Sequence, residues 1–184
     1  LATIVRICLA SRHPACLLWG PERIAIPNAA CREMLGIAPD ADARAVADTL
    51  ARADPDFPGV IDRIRAGEAL EIDARPMRLV RDGALTDGFA ALSGTPVRDE
   101  AGTVAGACCA WRDMTEHVQE TRRASLRLAL SEAFLAAERE DEATDAAATL
   151  LGAHLGADTI GISEADPAGD FFTIRRDWTS GRGR

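Results

Sequence analysis

The chain contains no lysine: every one of its 21 basic residues is arginine. That excludes a phosphate-gripping P-loop lysine, a Schiff-base lysine and the lysine with which kinases hold nucleotide phosphates. Tyrosine is absent too, and aromatics make up only 4% of residues, so the core must be built mainly from Ala, Leu, Ile and Val. The three histidines, His13, His117 and His154, stand far apart with no zinc-ligand spacing. The five cysteines, Cys8, Cys16, Cys31, Cys108 and Cys109, form no C-x-x-C pair. An odd number without a framework reads as reduced thiols in the cytoplasm. No apolar run reaches the ~18 residues of a membrane helix, and no basic start with a cleavage site marks a secretory leader.

What is present bounds the rest. With 184 residues, 47% of them hydrophobic, the chain can bury a core, as one domain or as a domain with an appendage. A net charge of -8 gives a solvated acidic surface. It argues against nucleic-acid partners and anionic membranes, both of which need clustered positive charge.

The patterning changes along the chain. Residues 3–12 form an amphipathic helix that Pro14 stops. "ACLLW" (15–19), the turn "GPE" and "RIAI" (23–26) make a hairpin. Asn28 is placed to cap the next helix, and Gly36 supplies its left-handed stop. Helices follow at 41–52 and 58–66. Three alternating runs, 70–81, 86–97 and 103–113, joined by turns at 81–83 and 99–102, then read as antiparallel strands. The composite is an α+β domain with one sheet.

Two stretches carry a resemblance to a known family. "CLLWGPERIAIPNAACREMLG" resembles the opening hairpin and first helix of PAS domains. "GTPVRDEAGTVAGACCAWRDMTEHV" resembles their closing hairpin and the Asp-x-Thr-Glu motif after it. The likeness spans about residues 14–118. It implies a sensory module in a bacterial signalling protein, with Asp113, Thr115 and Glu116 joining the sheet to an output helix. Independently, Asp113 as N-cap with Glu116 three positions on forms a capping-box-like pair.

The family's light- and gas-sensing chemistries find no counterpart. Cys31 in "NAACR" is similar only superficially to the flavin-reactive cysteine of LOV proteins, and it sits on the first helix rather than the later one. "FPGVIDRIRAG" offers no haem histidine. Cys31 is therefore expected as core filler, and Cys108 and Cys109, adjacent in a strand, point to opposite faces. No cofactor is expected; an unidentified small molecule would lie between helices and sheet, lined by Trp19, Cys31, Phe89 and Trp111.

From Glu116 a long helix continues to about residue 140. Val118, Thr121, Ser125, Leu128, Glu132 and Leu135 make a leaky heptad seam, and Leu126, Leu130, Ala133 and Ala137 a second face. Such a helix calls for a partner, so a homodimer through residues 116–139 is expected. The remainder resembles the beginning of a GAF domain, on "LLGAHLGAD", an Ile-rich strand and "RRDW", with a helix at about 141–155 and no bilin cysteine. The expected organisation is a helix (1–13), a PAS-like domain (14–115), an output helix (116–140) and a partial GAF-like helix and hairpin (141–184). The expected function is non-catalytic signal relay to a downstream output domain such as a histidine kinase. The alternative is a ligand-free structural dimerisation module.

Overall fold

The computed structural model describes residues 1–165 and 172–179. Residues Leu1–Val118 form one compact unit, and a second begins at Gln119.

The first unit opens with α1 (Ala2–Ala10), then the hairpin β1 (Ala15–Trp19) and β2 (Ile24–Pro27), and three short helices, α2 (Ala29–Leu35), α3 (Ala43–Ala53) and α4 (Phe57–Arg65). Strands β3 (Leu70–Arg81), β4 (Ala84–Arg98) and β5 (Val104–Asp113) complete it. The sheet order is β2-β1-β5-β4-β3, antiparallel throughout, so the last strand lies beside the first. The turn between β3 and β4 places Asp82 and Gly83 at φ 50° and 76°, the paired left-handed geometry of a tight hairpin. Pro96 is tolerated in β4 because β3 has ended its pairing at Gly94 there, so no donor is missed on that side.

Strand alternation divides the sheet into two faces. Leu18, Leu92, Ala107, Cys109 and Trp111 point toward α2, α3 and α4 and join Cys31, Val46, Leu50, Ile61 and Ile64 in the main core. Fully burying such aliphatic side chains is worth roughly 1.5–3 kcal/mol each. On the other face, Leu17 and Val97 meet Cys8, Ile4 and Val5 of α1. The first helix thus packs on the domain rather than standing apart as a separate segment. Asn28, the chain's single asparagine, anchors it. The side chain is wholly buried; its Oδ1 accepts the N–H groups of Ala15 (3.0 Å) and Cys31 (2.8 Å). Its Nδ2 faces the carbonyls of Cys8, Ser11 and His13 at 3.2, 3.0 and 2.8 Å.

Helix α5 (Thr115–Ala136) leaves the sheet directly after β5, and α6 spans Glu140–Leu155. The expected single helix to residue 140 therefore ends earlier: Arg139 takes extended angles and begins a new helix with Glu140, Asp141 and Glu142 in its first turn, a favourable place for acidic residues. Along α5, Leu128 and Leu135 of the heptad seam are exposed, as is Phe134.

In the second unit α6 packs on a two-stranded antiparallel sheet, β6 (Thr159–Ala165) and β7 (Phe172–Thr179). Gly152 lies against the Trp178 ring so closely that an added Cβ would stand 2.1 Å from it. Residues 166–171, between the two strands of the expected hairpin, lie outside the described residues. No helix among the described residues is long and apolar enough to cross a membrane.

Candidate functional site: the junction of sheet and output helix

The start of α5 is held by the backbone of β4. Thr115 is buried, 1% exposed. Its Oγ1 accepts the Phe89 N–H at 3.0 Å and donates to the Phe89 carbonyl at 3.4 Å. The Met114 N–H also donates to that carbonyl at 2.7 Å. Gly88 admits the hydroxyl: a Cβ there would lie 2.6 Å from Thr115 Oγ1.

Asp113 Oδ1 accepts the Thr115 N–H at 2.8 Å, so its carboxylate does serve the helix start. The cap position itself falls to Met114, whose carbonyl accepts the Val118 N–H at 2.9 Å. Glu116 does not close a capping box. Its Oε1 instead accepts from Arg81 Nη2 at 3.3 Å, while Arg81 Nε lies 3.9 Å from Asp113 Oδ2. Arg81 comes from the last position of β3, so both edges of the β3–β4 hairpin touch the helix start. With Glu116 84% exposed, the ion pair is worth at most about 1 kcal/mol. The buried hydroxyl of Thr115 is the stronger tie, because losing a buried partner costs about 1–3 kcal/mol.

The four residues expected around a small-molecule pocket do not converge. Cys31 and Trp111 sit in the main core, Trp111 packing on Phe57 with ring centroids 5.5 Å apart. Trp19 lies on the other face with the α1 cluster, and Phe89 has the strand parity opposite to buried Ala90 and Leu92. Alternation along β1 and β4 separates the pairs, and Cys31 and Trp111 are both buried in the main core.

The thiols are correspondingly quiet. Burial pushes Cys31 up to about 12, with the nearby Cys8 adding to the effect. Burial likewise raises Cys16 and Cys109 well above the ordinary thiol range. None is a thiolate near neutrality, so none is an activated nucleophile. Cys109 faces the main core and Cys108 the α1 face, as their adjacency in a strand requires. Among the described residues no group of three His, Cys, Asp or Glu side chains could hold a metal ion.

One buried charge lies deeper. Arg75 points inward after an irregularity in the β3–β4 register between Ile72 and Arg75. It hydrogen-bonds Asp54, which is 1% exposed, and reaches Asp56 at 3.3 Å. Asp54 Oδ2 and the Trp111 indole Nε1 are buried without hydrogen-bond partners. Burial pushes the Asp54 carboxyl up, against the opposing pull of the Arg75 guanidinium. Neither Arg81 nor Arg75 was marked by the sequence. The only available signal was an arginine on an alternating strand, and alternation does not say what the side chain reaches.

No family model and no curated protein matches the chain. Among solved structures, an RNA-binding light-oxygen-voltage receptor is similar at a TM-score of 0.50 and 15% identity, covering 74% of this chain. The chain spans 38% of that receptor's length. The PAS domain of Bordetella pertussis BvgS aligns at 0.45 and 15% identity, over 67% of this chain and 93% of that one. The LOV domain of a blue-light activated histidine kinase from Erythrobacter litoralis aligns at 0.42 and 13% identity, over 57% of this chain and 98% of that one. At 15% identity the likeness to the receptor is one of fold alone, and the chain carries a PAS-like antiparallel sheet within an α+β architecture.

Proposed function

We propose that this chain is a non-catalytic sensory module of a bacterial signalling protein, relaying strain in its sheet to α5. The observation that carries the reading is the grip of Thr115 and Met114 on the Phe89 backbone, with Asp113 and Arg81 beside it. A shift in β4 or in the β3–β4 hairpin must move or release the start of α5, because buried hydrogen bonds tie the two. Exposed Leu128 and Leu135 on α5 support a homodimer built through that helix. The second unit is read as the opening of a GAF-like domain, and the output as a downstream domain such as a histidine kinase, in the cytoplasm. No chromophore is proposed, so the purified protein should absorb through its tryptophans alone.

The burial of Cys31 and Trp111 in the main core favours one competing reading, a structural module that takes no ligand there.

Hydrogen exchange tests the relay. Arg81→Gln and Thr115→Val should speed exchange in residues 116–120 more than elsewhere. Val46→Ala, a cavity in the core, should loosen the domain evenly. The same pattern from all three variants would remove the relay and leave only a helix cap.

A further inference from the structure

One cleft of this domain, floored by the outer edge of the main core, has the chemistry of a ligand site. It opens between the end of α2, the side of α3 and the β3–β4 hairpin, with a volume of about 300 Å³. Leu35, Ala53 and Leu85 supply apolar surface, and Thr49, Arg52 and Arg78 supply the polar groups. Leu35 and Ala53 are buried, while Leu85 is 48% exposed on the hairpin.

The two guanidiniums are only lightly engaged. Arg52 donates to the Thr49 hydroxyl of its own helix at 3.1 Å. Arg78 lies 3.9 Å from Asp87, whose side chain is 98% exposed, too wide and too wet to neutralise it. No carboxylate is among the residues that line the cleft. In a protein of net charge -8, this places two cations over an apolar floor. A pocket of this size is at the small end of the usual range. It has no aromatic platform for a base and no glycine-rich loop to cradle phosphates.

We propose that this cleft binds a small organic anion of roughly ten non-hydrogen atoms: a carboxylate engaged by Arg52 and Arg78, on an apolar body seated against Leu35, Ala53 and Leu85. The head gains charge-assisted hydrogen bonds, and the body gains burial that a bare ion would not. Binding stands apart from the relay reading. Its consequence does rest on that reading: β3 carries Arg78 of the cleft and, three residues on, Arg81 at the start of α5.

Octanoate is the probe, followed by backbone amide NMR shifts in the intact chain, with acetate (head alone) and 1-octanol (body alone) as controls. Octanoate should shift the amides of Thr49, Ala53 and Leu85 saturably, and neither control should do so at equal concentration. The double variant Arg52→Gln/Arg78→Gln changes exposed side chains and should bind at least about tenfold more weakly, with an otherwise unchanged spectrum. No octanoate shift, equal shifts from 1-octanol, or an undiminished response in the double variant would overturn the site. A shift that also reaches the Glu116 amide supports the relay. Cleft shifts that leave Glu116 unmoved uphold the site and overturn the relay alone.

Discussion

Thr115 holds both backbone groups of Phe89, accepting its N–H at 3.0 Å and meeting its carbonyl at 3.4 Å. An interior strand of the sheet thereby fixes the first residue of a helix that leaves it. Thr115→Val keeps the shape and removes the hydroxyl that engages the Phe89 backbone. The expected loss is about 1–3 kcal/mol in denaturant unfolding. Gly88→Ala should produce a similar loss through crowding, since the new methyl must displace that same hydroxyl. If the two effects share this one contact, the double variant will lose less than the sum of the singles.

Asn28→Ala removes the side chain that joins the α1 segment to the first hairpin. Several backbone groups lose a partner at once, at about 1–3 kcal/mol for each one left buried. Loss above about 3 kcal/mol is expected, with early proteolytic cutting between residues 8 and 14. A cut elsewhere in the domain would show that α1 is held by its apolar contacts alone.

Leu128→Asp/Leu135→Asp places charges on exposed positions of α5. Light scattering should report a dimer for the native chain and a monomer for this variant, with circular dichroism unchanged. A monomeric native chain would refute dimerisation through α5.

Asp54 provides a pH test. Its carboxyl is raised in the folded state by burial, so folding favours its protonated form. Its contribution to stability is fully present below the unfolded value of about 4 and is lost as pH rises through the raised folded value. Relative to Asp54→Asn, the native chain should therefore gain stability as pH falls from neutrality toward about 4. A difference that stays flat across that window, or runs the other way, would mean that Arg75 outweighs burial.

The strands and helices were legible because their periods are plain: β1, β2 and β3 begin and end within a residue or so of the expected positions. Asn28 and Gly36 were legible as caps because such positions admit few residue types, and Gly36 indeed sits at φ 65°. The pocket was not legible. Trp19 and Phe89 are large apolar residues, but which face of the sheet each takes depends on register and on where α1 packs. The role of Glu116 was misread because its partner, Arg81, is 35 residues away in sequence, beyond what local capping rules consider. Asp54 carries no local signal either, because the residue that engages it, Arg75, is 21 positions away in sequence.

The strand order has a consequence for how the chain acquires its shape. Leu17 pairs with Cys108, so β1 cannot complete the sheet until nearly the whole domain has been synthesised. Until then the first hairpin keeps an open edge, and two strands alone are marginal in water. Closing so long a loop carries an entropic cost before any contact compensates it. Nascent chains that end before β5 should accordingly be vulnerable to edge-to-edge association, and folding should complete in one late step when residues 104–113 arrive.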